Sequence, residues 1–264
     1  MLCIHTAFQS EANPFIKKWR LKKQENHPFP IYTKDEIVLG ISGPGKLKTA
    51  CLITYMGAIY KPLSFLNFGI AGHPTLSLGE TVFGGKITDA SSKKTFYPVP
   101  IIPHKIKVVE ITTVEKPEEN YLKDTCYDME AFGFFHAAQL FTTAEFIHSL
   151  KVISDNKDAS FKHITPSFAE ELMDSSKENH ICYAESLLAK CKEYQGQITV
   201  GNCFMPENFS FTVSEKLQMN ELLRRYQVLS KSPLDAAFFE DCTTAKETLN
   251  KLRNKLQSLP ISFL

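Results

Sequence analysis

The sequence predicts an α/β fold: a mixed central sheet flanked by helices, with a helical C-terminal extension. Three features predict it. Short apolar runs alternate with helix-periodic segments as far as residue 195, the pattern of strands and helices sharing one sheet. Glycine-rich breaks, Ser42-Gly43-Pro44-Gly45 and Gly69-Ile70-Ala71-Gly72, follow two of the strand candidates directly. After residue 196 the strand signal stops, and two leucine stripes at helical spacing replace it.

Leu2 to Ala7 reads as a short buried strand that ends in a loop carrying Glu11. Pro14 can open a helix, with Phe15, Ile16 and Trp19 on one face. Glu36 to Ile41 is the next strand; the helix after its glycine turn sets Ala50, Ile53, Thr54, Gly57 and Ala58 at packing intervals. Leu63 to Asn67 is strand-like, with Gly69 to Gly72 as the loop beyond it, and Thr81 to Phe83 is a further short strand. Residues 89–105, broken by Pro98, Pro100 and Pro103, read as a loop or edge excursion, and Ile106 to Thr112 is β-prone. A helix starting near Glu130 is apolar on most sides through Phe132, Phe134, Phe135, Ala137 and Ala138, so burial is expected. Phe146 to Ile153 is a strand, and residues 167–194 form a closing helix. Gly196 to Phe211 breaks the pattern. The first stripe then comprises Met219, Leu222, Leu223, Tyr226 and Leu229, and the second Leu249, Leu252, Leu256 and Leu259. Short polar helices are marginal alone. The expected division is therefore a domain over 1–195 with a helical extension, 196–264, docked on it.

A chain of 264 residues with 43% hydrophobic residues can bury a sizeable core. Lys and Arg number 30 against 29 Asp and Glu, which gives no basic surplus for nucleic acid. The local run Lys17-Lys18-Trp19-Arg20-Leu21-Lys22-Lys23 reads as a solvated helix face. Seven cysteines without a Cys-x-x-Cys pair point to reduced, mostly buried thiols and argue against zinc. No apolar stretch is long enough to span a bilayer, and Leu2-Cys3-Ile4 follows the initiator without a leader pattern. A cytoplasmic protein without metal or cofactor is expected.

Two pieces carry chemistry. Asp128-Met129-Glu130-Ala131 puts carboxylates where a helix begins, and Val152-Ile153-Ser154-Asp155 puts one where a strand ends. Glycoside cleavage commonly needs one acid at the leaving group and another at the sugar or the water. Sheets of this kind collect ligands at the carboxyl ends of their strands, where Glu11, Gly69 to Gly72 and Asp155 are all predicted to fall. The bland alternatives are a surface acid for Glu11, a helix-dipole partner for Glu130 and a helix N-cap for Asp155. Gly40 to Leu47 nearly spells a phosphate-binding P-loop, but Leu47 stands where that motif needs Ser or Thr for magnesium.

With Asn67-Phe68-Gly69-Ile70-Ala71-Gly72-His73, Leu78-Gly79-Glu80, Ile87-Thr88-Asp89 and Ala7-Phe8-Gln9-Ser10-Glu11, these pieces resemble the nucleoside phosphorylase/nucleosidase family. The methylthioadenosine/S-adenosylhomocysteine nucleosidase branch is nearest, and the resemblance covers roughly residues 1–195. It implies a nucleoside phosphorylase-like fold, a small-molecule nucleoside substrate and a homodimer. It also implies roles: Glu11 deprotonates water, Ala71 and Gly72 bring backbone N–H groups to the sugar, and Met129 packs on the ribose. Glu130 accepts from the ribose hydroxyls, with Asp128 behind it. Ser154 and Asp155 meet the purine, Asp155 at the ring nitrogen that takes the proton. The phosphorylase branch carries an arginine near the glycine stretch; here neither that stretch nor His5 to Asn13 holds Arg or Lys, which favours hydrolysis. Phosphorolysis and nucleoside binding without turnover are the alternatives. Thr112 to Tyr127 is short for the family's base loop, and His73 replaces a small residue; His5 and His136 read as core or edge histidines.

Overall fold

The computed structural model describes residues 1–198, 210–230 and 234–259. They form two compact units, Met1–Cys191 and Lys192–Leu264.

The first unit carries β1 (Leu2–Thr6), α1 (Gln9–Trp19), β2 (Lys22–Gln24), β3 (Ile31–Lys34), β4 (Ile37–Ile41), α2 (Lys46–Tyr60) and β5 (Ser64–Gly72). It continues with β6 (Thr81–Asp89), β7 (Thr95–Phe96), β8 (Lys107–Thr113), β9 (Cys126–Asp128), α3 (Ala131–Ala138) and β10 (Ile147–Asp155). The helix α4 (Pro166–Ile198) starts in this unit. The strands make one mixed sheet in the order β10-β6-β8-β9-β5-β1-β4-β3-β2, with β7 on β6. β10 also pairs with β5, in parallel, so β5, β10, β6, β8 and β9 close into a ring. The closing contact is a single antiparallel pair, Gly72 with Tyr127.

Alternate residues of a strand face opposite ways, and β5 uses both faces. Phe65 meets Phe134 of α3 edge-on at 6.5 Å and stacks on Phe141. Phe68, three residues on, packs against His180 of α4 and Phe15 of α1. Helices therefore cover both faces of β5. α2 packs on α3, where Gly57 is required: a Cβ there would lie 2.4 Å from the Phe141 ring.

Several elements differ from the sequence reading. Glu11 is in the first turn of α1, not in a loop, because its carboxylate reaches back to the Phe8 N–H, and the helix starts at Gln9, ahead of the expected Pro14. Pro14 sits inside α1, where it offers the Ser10 carbonyl no donor. Gly69 to Gly72 are the end of β5, hydrogen-bonded along β10. The basic run turns a corner: Lys17 and Lys18 end α1, Arg20 takes the left-handed cap at φ 52°, and Lys22 and Lys23 lie on β2. β2, β3 and β9 carry too little apolar periodicity to be read from sequence. The closing helix runs on to Ile198, past the expected break at Gly196; residues 199–209 of that break lie outside the described residues. Of the six described cysteines, Cys3, Cys126 and Cys191 are buried, while Cys51 and Cys182 are exposed.

The second unit holds α5 (Val213–Ser230) and α6 (Ala245–Ser258). Thr244 caps α6 by accepting the Glu247 N–H at 3.2 Å. The two leucine stripes meet: Met219, Leu223 and Tyr226 share one core with Phe239, Leu249, Leu252 and Leu256. No helix among the described residues is long and apolar enough to cross a membrane.

His180 lies fully buried between Phe15 and Phe68, and neither ring nitrogen has a hydrogen-bond partner. Burial pushes it down to about 3. A folded value below the unfolded one means that the unfolded chain takes the proton first, so stability is full above about pH 6.5 and falls toward pH 3. Between pH 7 and pH 5 this one ring contributes a loss of about 2 kcal/mol. His180→Leu is expected to melt above the wild type at pH 7, since an unpaired buried polar group costs about 1–3 kcal/mol, and by a wider margin at pH 5. A variant that melts lower at both pH values would contradict this.

Candidate active site

At the carboxyl ends of β1, β5 and β10 lies a cavity of about 240 Å³. Glu11, Ala71, Gly72, Met129, Glu130, Ser154 and Asp155 all line it, joined by Asp128. They come from four separated parts of the chain. Its apolar wall comes from Phe8, Pro44, Ile70, Val114, Phe161 and Ile164.

Glu11 is held by three backbone donors. Its Oε2 accepts from Ala7 N at 2.8 Å and Phe8 N at 2.9 Å, and its Oε1 from Ile70 N at 3.0 Å. A side chain at Gly69 would place its Cβ 2.8 Å from that Oε1, so the glycine makes room for the carboxylate. Burial raises the Glu11 pKa; the Lys151 ammonium and the three N–H groups oppose it without cancelling it. The result is a fixed, desolvated proton acceptor.

Glu130 sits just ahead of α3, and its Oε1 accepts the Gly45 N–H at 2.8 Å. Gly45 caps α2 at φ 104°, so this carboxylate occupies the helix terminus where a P-loop would hold phosphate. Asp128 behind it caps α3, accepting the Ala131 N–H at 2.7 Å and the Thr113 hydroxyl at 2.7 Å. Both acids face Lys151, whose Nζ is 2.8 Å from Asp128 Oδ2 and 3.9 Å from Glu130 Oε2. Burial alone would lower the lysine, but the two carboxylates outweigh it and raise it. Glu130 is pushed up to about 7, by burial first, with Lys151 opposing and Asp128 adding. Sequence reasoning missed Lys151. The signal was there: a lysine inside the apolar strand Ile147–Asp155 must find a partner once buried.

Asp155 is the last residue of β10. The register there is shifted, Ile153 opposite Ala71 and Asp155 opposite Gly72, so Ser154 is an extra residue. Regular alternation would turn Ser154 and Asp155 to opposite faces; the bulge brings both to the cavity. The Ser154 hydroxyl donates to Asp155 Oδ1 and the Tyr121 hydroxyl to Oδ2. Tyr121 was not foreseen, and nothing in its local sequence marks it.

His5 and His73 are held by hydrogen bonds within the fold. Asn67 Nδ2 lies 2.8 Å from His5 Nδ1 while Asn67 Oδ1 accepts from Ser149, which makes Nδ1 the acceptor and leaves Nε2–H facing Ser42 Oγ at 2.8 Å. His5 thus cannot take a proton from Ser42, and the trio is not a nucleophile with its base. His73 is buried, its Nδ1 accepting the Thr75 and Leu76 N–H groups. Among the described residues no three His, Cys, Asp or Glu are placed to hold a metal.

Solved structures share this architecture. A futalosine hydrolase mutant of Helicobacter pylori superposes with a TM-score of 0.60 at 13% identity, over 72% of this chain and 98% of that one. The Campylobacter jejuni 5'-methylthioadenosine/S-adenosyl homocysteine nucleosidase gives 0.56 at 14%, over 67% and 95%. The Streptococcus pneumoniae MTA/SAH nucleosidase in complex with 8-aminoadenine gives 0.58 at 15%, over 70% and 99%. This chain has the nucleoside phosphorylase/nucleosidase fold. At such identities the likeness is one of fold, as the sequence resemblance led one to expect. No protein-family model and no curated protein sequence matches the chain.

Proposed function

We propose that the protein hydrolyses the N-glycosidic bond of a purine nucleoside or a 5'-modified relative. One observation carries the reading: Glu11, Glu130 and Asp155 converge on one cavity that no Lys or Arg side chain among the described residues lines. In this reading Glu11 accepts a proton from water as the water oxygen bonds to the anomeric carbon. The C–N bond breaks, its electron pair goes to the base, and the base takes on a ring nitrogen a proton that Asp155 passes to it from solvent, which balances the water proton taken by Glu11. Glu130 accepts from the ribose hydroxyls, Met129 packs on the sugar, and the Ala71–Gly72 strand end and Ser154 complete the binding surface. The products are free base and free sugar. The protein acts as a cytoplasmic homodimer in this proposal, with the 196–264 extension as an accessory to the 1–195 domain.

Phosphorolysis would need a cation free to grip a dianion. Among the described residues Lys151 is a nearby cation, and Asp128 and Glu130 already engage it. Base release is therefore expected in phosphate-free buffer, with free sugar as product. A panel of nucleosides assayed with and without phosphate checks this. Sugar 1-phosphate formed only when phosphate is present would replace hydrolysis by phosphorolysis; nucleoside binding without base release would replace it by a binding role.

A further inference from the structure

We infer that Tyr121 is a positioning residue for Asp155, fixing the carboxylate that meets the leaving base. This rests on the reading of Asp155 given above and adds to it a residue outside the cavity lining.

The backbone of Asp155 is already anchored. It pairs with Gly72 across β5, and its carbonyl accepts the His73 N–H at 3.0 Å. What remains free is the rotation of the carboxylate. Two hydroxyls remove that freedom, one per oxygen: Ser154 on Oδ1 and Tyr121 on Oδ2. Each oxygen keeps a lone pair, so the group can still accept from an N–H of a bound base. An arrangement in which both oxygens accept suits the carboxylate, and a carboxylate stabilises a base that has gained a proton on its ring nitrogen.

Tyr121 is built into this place. It is 3% exposed, and its ring meets Tyr127 edge-on at 6.0 Å. Tyr127 lines the cavity and pairs with Gly72. The backbone of Tyr121 is at φ 45°, a left-handed conformation that a bulky residue adopts only where its surroundings enforce it. Gly72 completes the fit from below. A Cβ there would lie 2.3 Å from Asp155 Oδ2 and 2.9 Å from the Tyr121 ring, so only glycine leaves the two groups in contact. Burial and the adjoining carboxylate both raise the phenol's pKa, so it remains a donor across the working range. The connection between β8 and β9 thus supplies a hydroxyl that holds the acid.

The test is Tyr121→Phe in the full chain, assayed for base release from a purine nucleoside and melted alongside the wild type. Expected are a kcat lower by roughly 10- to 100-fold, the scale of a misplaced reacting group, a KM within about twofold, and a retained fold. In the Asp155→Asn background the same change is expected to have no further effect on kcat, because the phenol acts through Asp155. Gly72→Ala breaks the contact from the other side with the phenol intact, and a lower kcat is expected there too; it serves if Tyr121→Phe fails to fold. Undiminished kcat in Tyr121→Phe, or in Gly72→Ala, overturns the inference, as does an effect that adds fully to that of Asp155→Asn. A wild type that releases no base from any nucleoside overturns the underlying reading; an active wild type beside an equally fast Tyr121→Phe overturns this inference alone.

Discussion

Asp155→Asn is expected to slow base release from a purine nucleoside by roughly 100-fold or more, the usual scale for losing a group that handles the leaving-group proton. The asparagine keeps the size of the side chain, and its oxygen can still accept one of the two hydroxyls now on the carboxylate. What it loses is the charge facing the base and one acceptor. Glu11→Gln should be equally damaging, with nucleoside binding largely retained. Its amide oxygen can serve the Ala7 and Phe8 N–H groups, but the NH2 then faces the Ile70 N–H, donor against donor. Measuring kcat and KM for both variants checks this. Near-normal rates on a substrate the wild type turns over would remove Asp155 and Glu11 from the mechanism.

Lys151→Met is expected to destabilise the protein by about 3–5 kcal/mol, the cost of leaving a buried charge without its partner. That is a large share of a typical total of about 5–15 kcal/mol. Lys151 is 1% exposed, and its loss leaves Asp128 and Glu130 facing each other in a buried site. The deficit should shrink as the pH falls. Glu130 already sits at about 7 in the presence of the ammonium, and without it the folded state holds a proton more readily. A folded value above the unfolded one favours the folded state below it. Adding Asp128→Asn to Lys151→Met should restore part of the stability at pH 7. Denaturant unfolding at pH 7 and pH 5 measures both effects, and a Lys151→Met protein as stable as the wild type at pH 7 would show that the ion pair contributes nothing.

Much of the fold was legible in the chain. Every strand with strong apolar content, β1, β4, β5 and β10, was visible in outline, as were α2, α3 and both leucine stripes, because burial on a sheet or in a helix pair demands those patterns. The elements that were missed, β2, β3, β7 and β9, are short edge or ring-closing pieces that pairing stabilises more than composition does. The seven residues expected at the site all line one cavity, and their roles there belong to the proposal. Local chemistry marks them, since a carboxylate at the end of an apolar strand or before an apolar helix needs a reason to be there.

By itself the sequence determined the α/β class, the carboxylates and the absence of a cation from the glycine stretch and the first loop. Only the tertiary structure decided how those groups are held. The Ser154 bulge turns two neighbouring side chains to one cavity, Lys151 reaches Asp128 from β10, and Tyr121 meets Asp155 over Gly72. Each depends on the register between strands that no local propensity sets. A one-residue slip would send Asp155 to the opposite face, whereas the apolar pattern that makes β10 a strand would read the same before and after it.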